Sequence, residues 1–195
     1  MKSLRKKRIL AYIVDYIIIT LLINVISTIS FINPTHKEYL KYSEKYMDAY
    51  TEYVKNPEKA SLDELTDYSY YVIKYGVVYD VVKIAIIIAY LGVYQYQKGG
   101  QTLGKKWQNI KLESSSGKLT LGKTIIRSVI LYNLIFVALT CISVYTFSSK
   151  NFLIANGVIS LLSNIMVIII LLTVLIRKDG LGLHDKICKT KVVEI

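Results

Sequence analysis

The stretch Arg8-Ile-Leu-Ala-Tyr-Ile-Val-Asp15 opens an apolar run that reaches Phe31-Ile32 with no further charge. Seven residues are about two helical turns, so Arg8 and Asp15 share one face. The run is long enough to cross a bilayer, which takes about 20 apolar residues. A carboxylate two turns inside such a helix is costly in lipid. It needs a partner or a protein interior, and that makes it a candidate functional residue. The basic stretch Lys2 to Arg8 resembles the start of a secretory signal. The run, however, is too long, contains Asp15 and offers no Ala-x-Ala cleavage pattern, so it reads as a retained helix.

Outward from this stretch the chain keeps the same character. It has 195 residues, of which 53% are hydrophobic, and a mean hydropathy of +0.39. Those values suit a polytopic membrane protein. Four segments are long enough to span, at 9–32, 75–97, 125–147 and 153–176. The second and third carry Asp80, Lys83 and Arg127. Asp80 and Lys83, three apart, share a helix face and can neutralise each other. The expected fold is all-α, a single membrane domain of four transmembrane helices with an external helical extension at 34–74.

The net charge of +11 is unevenly placed. Residues 1–8 hold five cations and no acid, the loop 98–124 six lysines against Glu113, and the tail 177–195 five cations against three acids. The 34–74 region instead has six lysines and eight acids. By the positive-inside rule both termini and the 98–124 loop lie in the cytoplasm. The basicity therefore points to the bilayer and its anionic headgroups as partners, and away from nucleic acid.

The 34–74 region is patterned. Tyr39, Tyr42, Tyr46, Tyr50 and Tyr53 recur at spacings of three and four, the mark of one helix face. Asn56-Pro57 ends that helix. Ser61 to Glu64 reads as a capping box for the next helix, which continues past Gly76 to Tyr96. The tyrosine stripe has two readings: packing between the two external helices, or a surface for a peptide or protein ligand.

Gln97-Lys-Gly-Gly-Gln-Thr-Leu-Gly-Lys-Lys106 contains the nucleotide-loop spacing Gly-x-x-x-x-Gly-Lys at Gly99, Gly104 and Lys105. Lys106 stands where a magnesium-binding Ser or Thr belongs, and a membrane helix precedes the motif instead of a strand, so nucleotide chemistry is rejected. The glycines instead allow positive φ in a tight loop whose lysines face headgroup phosphates. Trp107 to Leu112 alternates loosely, Ser114-Ser-Ser-Gly117 is a turn, Lys118 to Thr120 can return as a strand, and Lys189 to Val193 has strand propensity. Together they suggest a small cytoplasmic β element. Cys141 and Cys188 fall in different compartments, as do His36 and His184. No metal constellation, cofactor motif or Ser/His/Asp arrangement is visible, and the expectation is a protein that is not an enzyme.

Four motifs, taken in order, resemble the RDD family of bacterial membrane proteins. Arg-x-x-Ala-x-x-x-Asp is present as Arg8, Ala11 and Asp15. Gly-Gln-Thr-x-Gly-Lys is present as Gly100, Gln101, Thr102, Gly104 and Lys105. Arg127 follows a Leu-Gly-Lys lead-in at the head of the third membrane helix. Gly182, Leu183, His184, Asp185, Thr190, Val192 and Val193 match the terminal motif. The resemblance covers nearly the whole chain except 34–74, which looks like an insertion. The chain departs from the pattern with Lys98-Gly99 before the second motif and Arg177-Lys178 where an arginine pair is usual. The resemblance implies a small helical membrane domain and, for some members, monovalent cation/proton exchange.

Two readings of the charges remain. In one, Arg8, Asp15, Arg127 and Asp185 are structural, with Arg8 snorkelling, Arg127 pairing across helices with Asp15, and Asp185 anchoring a loop through backbone amides, Lys105 or Arg8. In the other, Asp15 and Asp185 form a cytoplasm-facing site where protonation alternates with cation binding. Four helices are few for a monomeric transporter, which points to a homo-oligomer, or to an accessory or immunity-type subunit that binds a larger membrane complex through its tyrosine-rich helices.

Overall fold

The computed structural model describes residues 2–58, 61–176 and 181–195. The Arg177-Lys178 pair lies outside them. In chain order the elements are α1 (Lys2–Ser27), α2 (His36–Lys55), α3 (Leu62–Ile87), a π-helical segment (Ile88–Tyr94), α4 (Gln95–Gln97), α5 (Leu103–Trp107), β1 (Ile110–Ser114), α6 (Leu121–Leu131), α7 (Leu134–Thr146), α8 (Ser149–Ile176), α9 (Leu183–Ile187) and β2 (Thr190–Glu194).

Among the described residues, three stretches of helix are long and apolar enough to cross a membrane: Leu4–Ser27, Leu62–Gln97 and Ser149–Val174. The expected third helix, 125–147, is broken. Its halves α6 and α7 pass only as a pair bent by 66°. The break is at Tyr132-Asn133, where Asn133 takes a left-handed φ of 53°. Asparagine tolerates that region better than most residues. Its Nδ2 donates to the carbonyl of Ser163 at 3.0 Å and so fixes the corner. The Ser61 half of the expected capping box is present, with the Glu64 amide donating to Ser61 Oγ at 3.2 Å.

The helices wear their apolar side chains outward. Ile9, Ile13, Ile17, Leu21 and Val25 of α1, and Ile154, Val158, Leu161, Ile165 and Leu172 of α8, are exposed, whereas Asp15, Gln95, Thr102, Thr124, Arg127 and Asp185 are buried. A protein in water reverses this arrangement, and apolar helices around a polar interior belong in lipid.

The chain divides into two compact units. One comprises Met1–Ile23, Lys83–Ile135 and Ser163–Ile195. In it α1 buries Ala11, Asp15 and Ile19, spaced by four along one face. Ile19 packs with Ile87, Tyr90, Leu91 and Leu134. β1 and β2 pair antiparallel, Leu112 opposite Val192 and Ser114 opposite Thr190, and their buried residues cover Ala11. The β element therefore joins loop and tail as expected. Lys118 to Thr120 adds no strand, because Thr120 is spent as the N-cap of α6, its hydroxyl accepting from the Lys123 amide.

The other unit comprises Asn24–Val82 and Phe136–Leu162. Here α2 runs antiparallel to the first half of α3 along a seam of tyrosines. Tyr39 meets Tyr79 at a 4.8 Å ring separation, and Tyr42 meets Tyr71 and Tyr75 at 4.8 and 5.3 Å. Tyr70 donates to the carbonyl of Val144 at 2.9 Å and packs edge-on against Phe152. The stripe is thus a packing seam over its first half only. Tyr46 and Tyr50 stack on each other, and Tyr50 and Tyr53 are exposed. Truncating Tyr42 to alanine removes its ring pairs with Tyr68, Tyr71 and Tyr75 and is expected to cost about 1–3 kcal/mol. Tyr50→Ala is expected to stay within about 0.5 kcal/mol. Thermal unfolding of the detergent-solubilised protein measures both.

Candidate functional site

Asp15 is 2% exposed, and an ionised carboxylate so placed demands donors on its lone pairs. The Gly100-to-Lys105 loop and the π segment supply them. Tyr90 donates its hydroxyl to Oδ1 at 2.7 Å, Thr102 to Oδ2 at 2.5 Å, and the Gly104 amide to Oδ1 at 2.9 Å. Lys105 Nζ stands 3.8 Å from Oδ2. Each residue of the Gly-Gln-Thr-x-Gly-Lys motif has a part in this cradle. Gly100 adopts φ +92°, and a Cβ there would lie 2.0 Å from the Leu112 carbonyl oxygen. Its carbonyl accepts from the amide of Leu112 and from Gln95 Nε2, which ties the loop to β1 and α4. Gln101 reaches the Ile110 carbonyl. Thr102 caps α5 by accepting from the Lys105 amide while donating to Asp15. Gly104 lies so close to α1 that a Cβ would sit 2.3 Å from the Ala11 carbonyl oxygen. The phosphate-loop spacing is therefore put to a different use, in which amide and hydroxyl donors hold a carboxylate of the same chain.

Lys105 corrects an expectation. It does not face headgroups but is buried, 8% exposed, against Asp15 and Thr102. Burial first, then the nearby Arg127, pull its amine down from 10.5 to about 8, although Asp15 and Asp185 pull the other way.

Asp185, fully buried on α9, gathers the other charges. Arg127 Nε donates to its Oδ1 at 2.9 Å and Arg8 Nη2 to its Oδ2 at 2.6 Å. Thr190 and the Gly182 amide add longer bonds at 3.4 Å. Burial alone would raise this carboxyl, but Arg127 and Arg8 outweigh it and hold the group below the ordinary carboxylate range. His184, beside it, is pushed down to about 3 by burial and then by Arg127, so its imidazole is neutral. Arg127 is thus bonded to Asp185 and not to Asp15, and Arg8 is bonded to Asp185 as well.

Arg8, Asp15, Arg127 and Asp185 fall in one unit, and the first three line a cavity of about 410 Å³. Arg8, Asp15, Lys105, Arg127 and His184 line its polar part, and Leu131, Val167, Ile170, Leu171 and Val174 its apolar wall. Asp80 and Lys83 lie one turn apart on α3, both half-buried, with Asp80 in the second unit and Lys83 in the first.

Tyr90 and Gln95 escape a reading of the sequence. A tyrosine in an apolar helix reads as a membrane-interface residue. Only the π segment, which widens the turn at Ile88–Tyr94, brings the Tyr90 hydroxyl to Asp15 and to the Leu103 amide.

A family model described as RDD family matches residues 4–189, so the 34–74 region falls inside the matched span. No curated protein and no solved structure matches the chain.

Asp185→Asn leaves two guanidiniums around a neutral amide. It is expected to cost about 3–5 kcal/mol, as breaking a buried ion pair does. Glu194→Gln removes only the exposed pair with Lys7 and is expected to change stability by less than about 1 kcal/mol. Melting temperatures of the two purified variants compare them directly.

Proposed function

From the premise that this chain belongs to the RDD family, we propose that it is a multi-pass integral membrane protein exchanging a proton for a monovalent cation at the Asp15–Lys105 pair. The observation that carries this reading is the buried amine of Lys105, 3.8 Å from Asp15 Oδ2 on the wall of the same cavity. Its titration near pH 8, below the ordinary lysine range, lets the proton leave within reach of physiological pH.

The exchange balances in charge. With Lys105 protonated, the ammonium neutralises Asp15. When the proton leaves, a cation takes the place of the ammonium beside the oxygens that Tyr90, Thr102 and Gly104 hold in position. The carboxylate and the Thr102 hydroxyl offer the oxygen ligands that hard cations prefer. Arg8, Arg127, Asp185 and the neutral His184 surround the pair. Arg8 and Arg127 are committed to Asp185, so Lys105 is the cation able to leave. The basic N-terminal, 98–124 and C-terminal segments favour a cytoplasmic side for this site in a bacterial cell membrane. Four spans being few for a transporter, the working unit is a homo-oligomer.

Flux of Na⁺ or K⁺ against a proton gradient in vesicles tests the reading. Exchange is expected to be low below about pH 7, where Lys105 is protonated, and to rise through about pH 8. Lys105→Met is expected to remove that pH dependence, and Asp15→Asn to abolish exchange while the protein still folds. Undiminished exchange in folded Asp15→Asn sinks the proposal.

A second reading rests on α2, which has no buried residue and whose Tyr50, Tyr53, Met47 and Val54 are exposed. Such a face suits an accessory or immunity-type subunit bound to a larger membrane partner. Stoichiometric co-purification of one partner, lost in the double substitution Tyr50→Ser with Tyr53→Ser, is the expected result on this reading. Unchanged co-purification counts against it.

A further inference from the structure

The cavity around Arg127 combines a charge excess with an apolar wall that the exchange chemistry does not use. Among the described residues, Arg8, Lys105 and Arg127 bring three cations to its lining, against Asp15 in the same lining and Asp185, which Arg8 and Arg127 contact. Both carboxylates are already met by donors on their own lone pairs. Arg127 spends its Nε on Asp185. Its two terminal nitrogens carry the planar fork that matches phosphate oxygens. A net positive charge among apolar helices is costly unless an anion joins it.

The rest of the cavity is shaped for chains. Val167, Ile170, Leu171 and Val174 of α8 face it, and Ile9, Tyr12, Val167 and Leu171 are between 42% and 55% exposed. Its rim therefore consists of apolar residues on two helices long enough to cross a membrane. At about 410 Å³ it falls within the ~300–1,000 Å³ of ordinary ligand sites.

We propose that this cavity seats the phosphate of one anionic membrane lipid against Arg127, with the upper acyl carbons along α8. A free phosphate would meet the same guanidinium but would leave the apolar wall empty, so the observations favour the lipid. The inference does not rest on ion exchange: it needs only the cavity, its charge and its rim. A bound phosphate also places a negative charge near Lys105, which favours the protonated amine.

Native mass spectrometry of the full-length protein, released from mixed phosphatidylglycerol and phosphatidylcholine micelles, tests it. One phosphatidylglycerol per chain is expected to persist at collision energies that strip phosphatidylcholine. Arg127→Lys is expected to weaken retention at least tenfold. Because Arg127 also holds Asp185, Leu171→Trp gives a second arm: it fills the apolar wall at a half-exposed position and is expected to lose the lipid without lowering the lipid-free melting temperature. Equal retention of both lipids, or wild-type retention in Leu171→Trp, overturns the proposal. A rise in melting temperature with inorganic phosphate as large as that with phosphatidylglycerol overturns the lipid as occupant.

Discussion

A carboxylate inside an apolar helix must have every lone pair met, and the arrangement around Asp15 follows from that requirement. Two oxygens accept from a tyrosine hydroxyl, a threonine hydroxyl and a backbone amide, with an ammonium beside them. Each donor sets a condition on the chain that carries it. The amide of Gly104 arrives only because nothing projects from its Cα toward Ala11. Thr102 arrives because it caps α5, and α5 is held by a loop that only a glycine at position 100 can close against β1. Tyr90 arrives because the helix widens into a π turn at that point. Removing any one condition leaves a buried charge short of a donor, which is a larger loss than the bond itself.

Asp185 solves the same problem with charge. Two arginines from α1 and α6 meet on one carboxylate of α9, so the start, middle and end of the chain are joined at a single group. The short sheet extends the joint, since β2 follows α9 directly and pairs with the loop that carries the Asp15 cradle. Such a joint is rigid, because a buried pair tolerates little change in geometry. The two carboxylates therefore differ in chemical freedom. Asp185 is bound by guanidiniums, whereas among the described residues the cation paired with Asp15 is a lysine.

That difference was only partly legible in the sequence. The seven-residue spacing of Arg8 and Asp15 identified a shared face, and the four motifs identified the residues that meet. Spacing carries no information on which cation meets which anion across helices, so the expected Arg127–Asp15 pair is an Arg127–Asp185 pair. Lys105 looked like a surface lysine because its loop is polar, yet the cap at Thr102 turns the first helical residues of α5 inward. Asn133 was the visible trace of the broken third span, one amide in an apolar run, but an amide in such a run also fits an unbroken helix with a polar neighbour. Tyr90 left no trace, because the π turn has no composition of its own. The tyrosine periodicity of α2 was readable as one face, and only contact with α3 distinguishes Tyr39 and Tyr42, which pack, from Tyr50 and Tyr53, which do not.

The charge count around the cavity links the two functional readings. Among the described residues three cations against two carboxylates leave one positive charge in a setting that penalises it, and there are two ways to remove it. A proton can leave Lys105, because burial and Arg127 pull the amine down to about 8. Alternatively an anion can join Arg127. By linkage the two compete: whatever places a negative charge in the cavity makes the proton harder to lose, and a deprotonated Lys105 weakens the hold on that anion by the same factor. A lipid phosphate in this position would move the pH at which Asp15 becomes available to a cation. Lipid composition would then act on ion exchange through one lysine, with no change of fold.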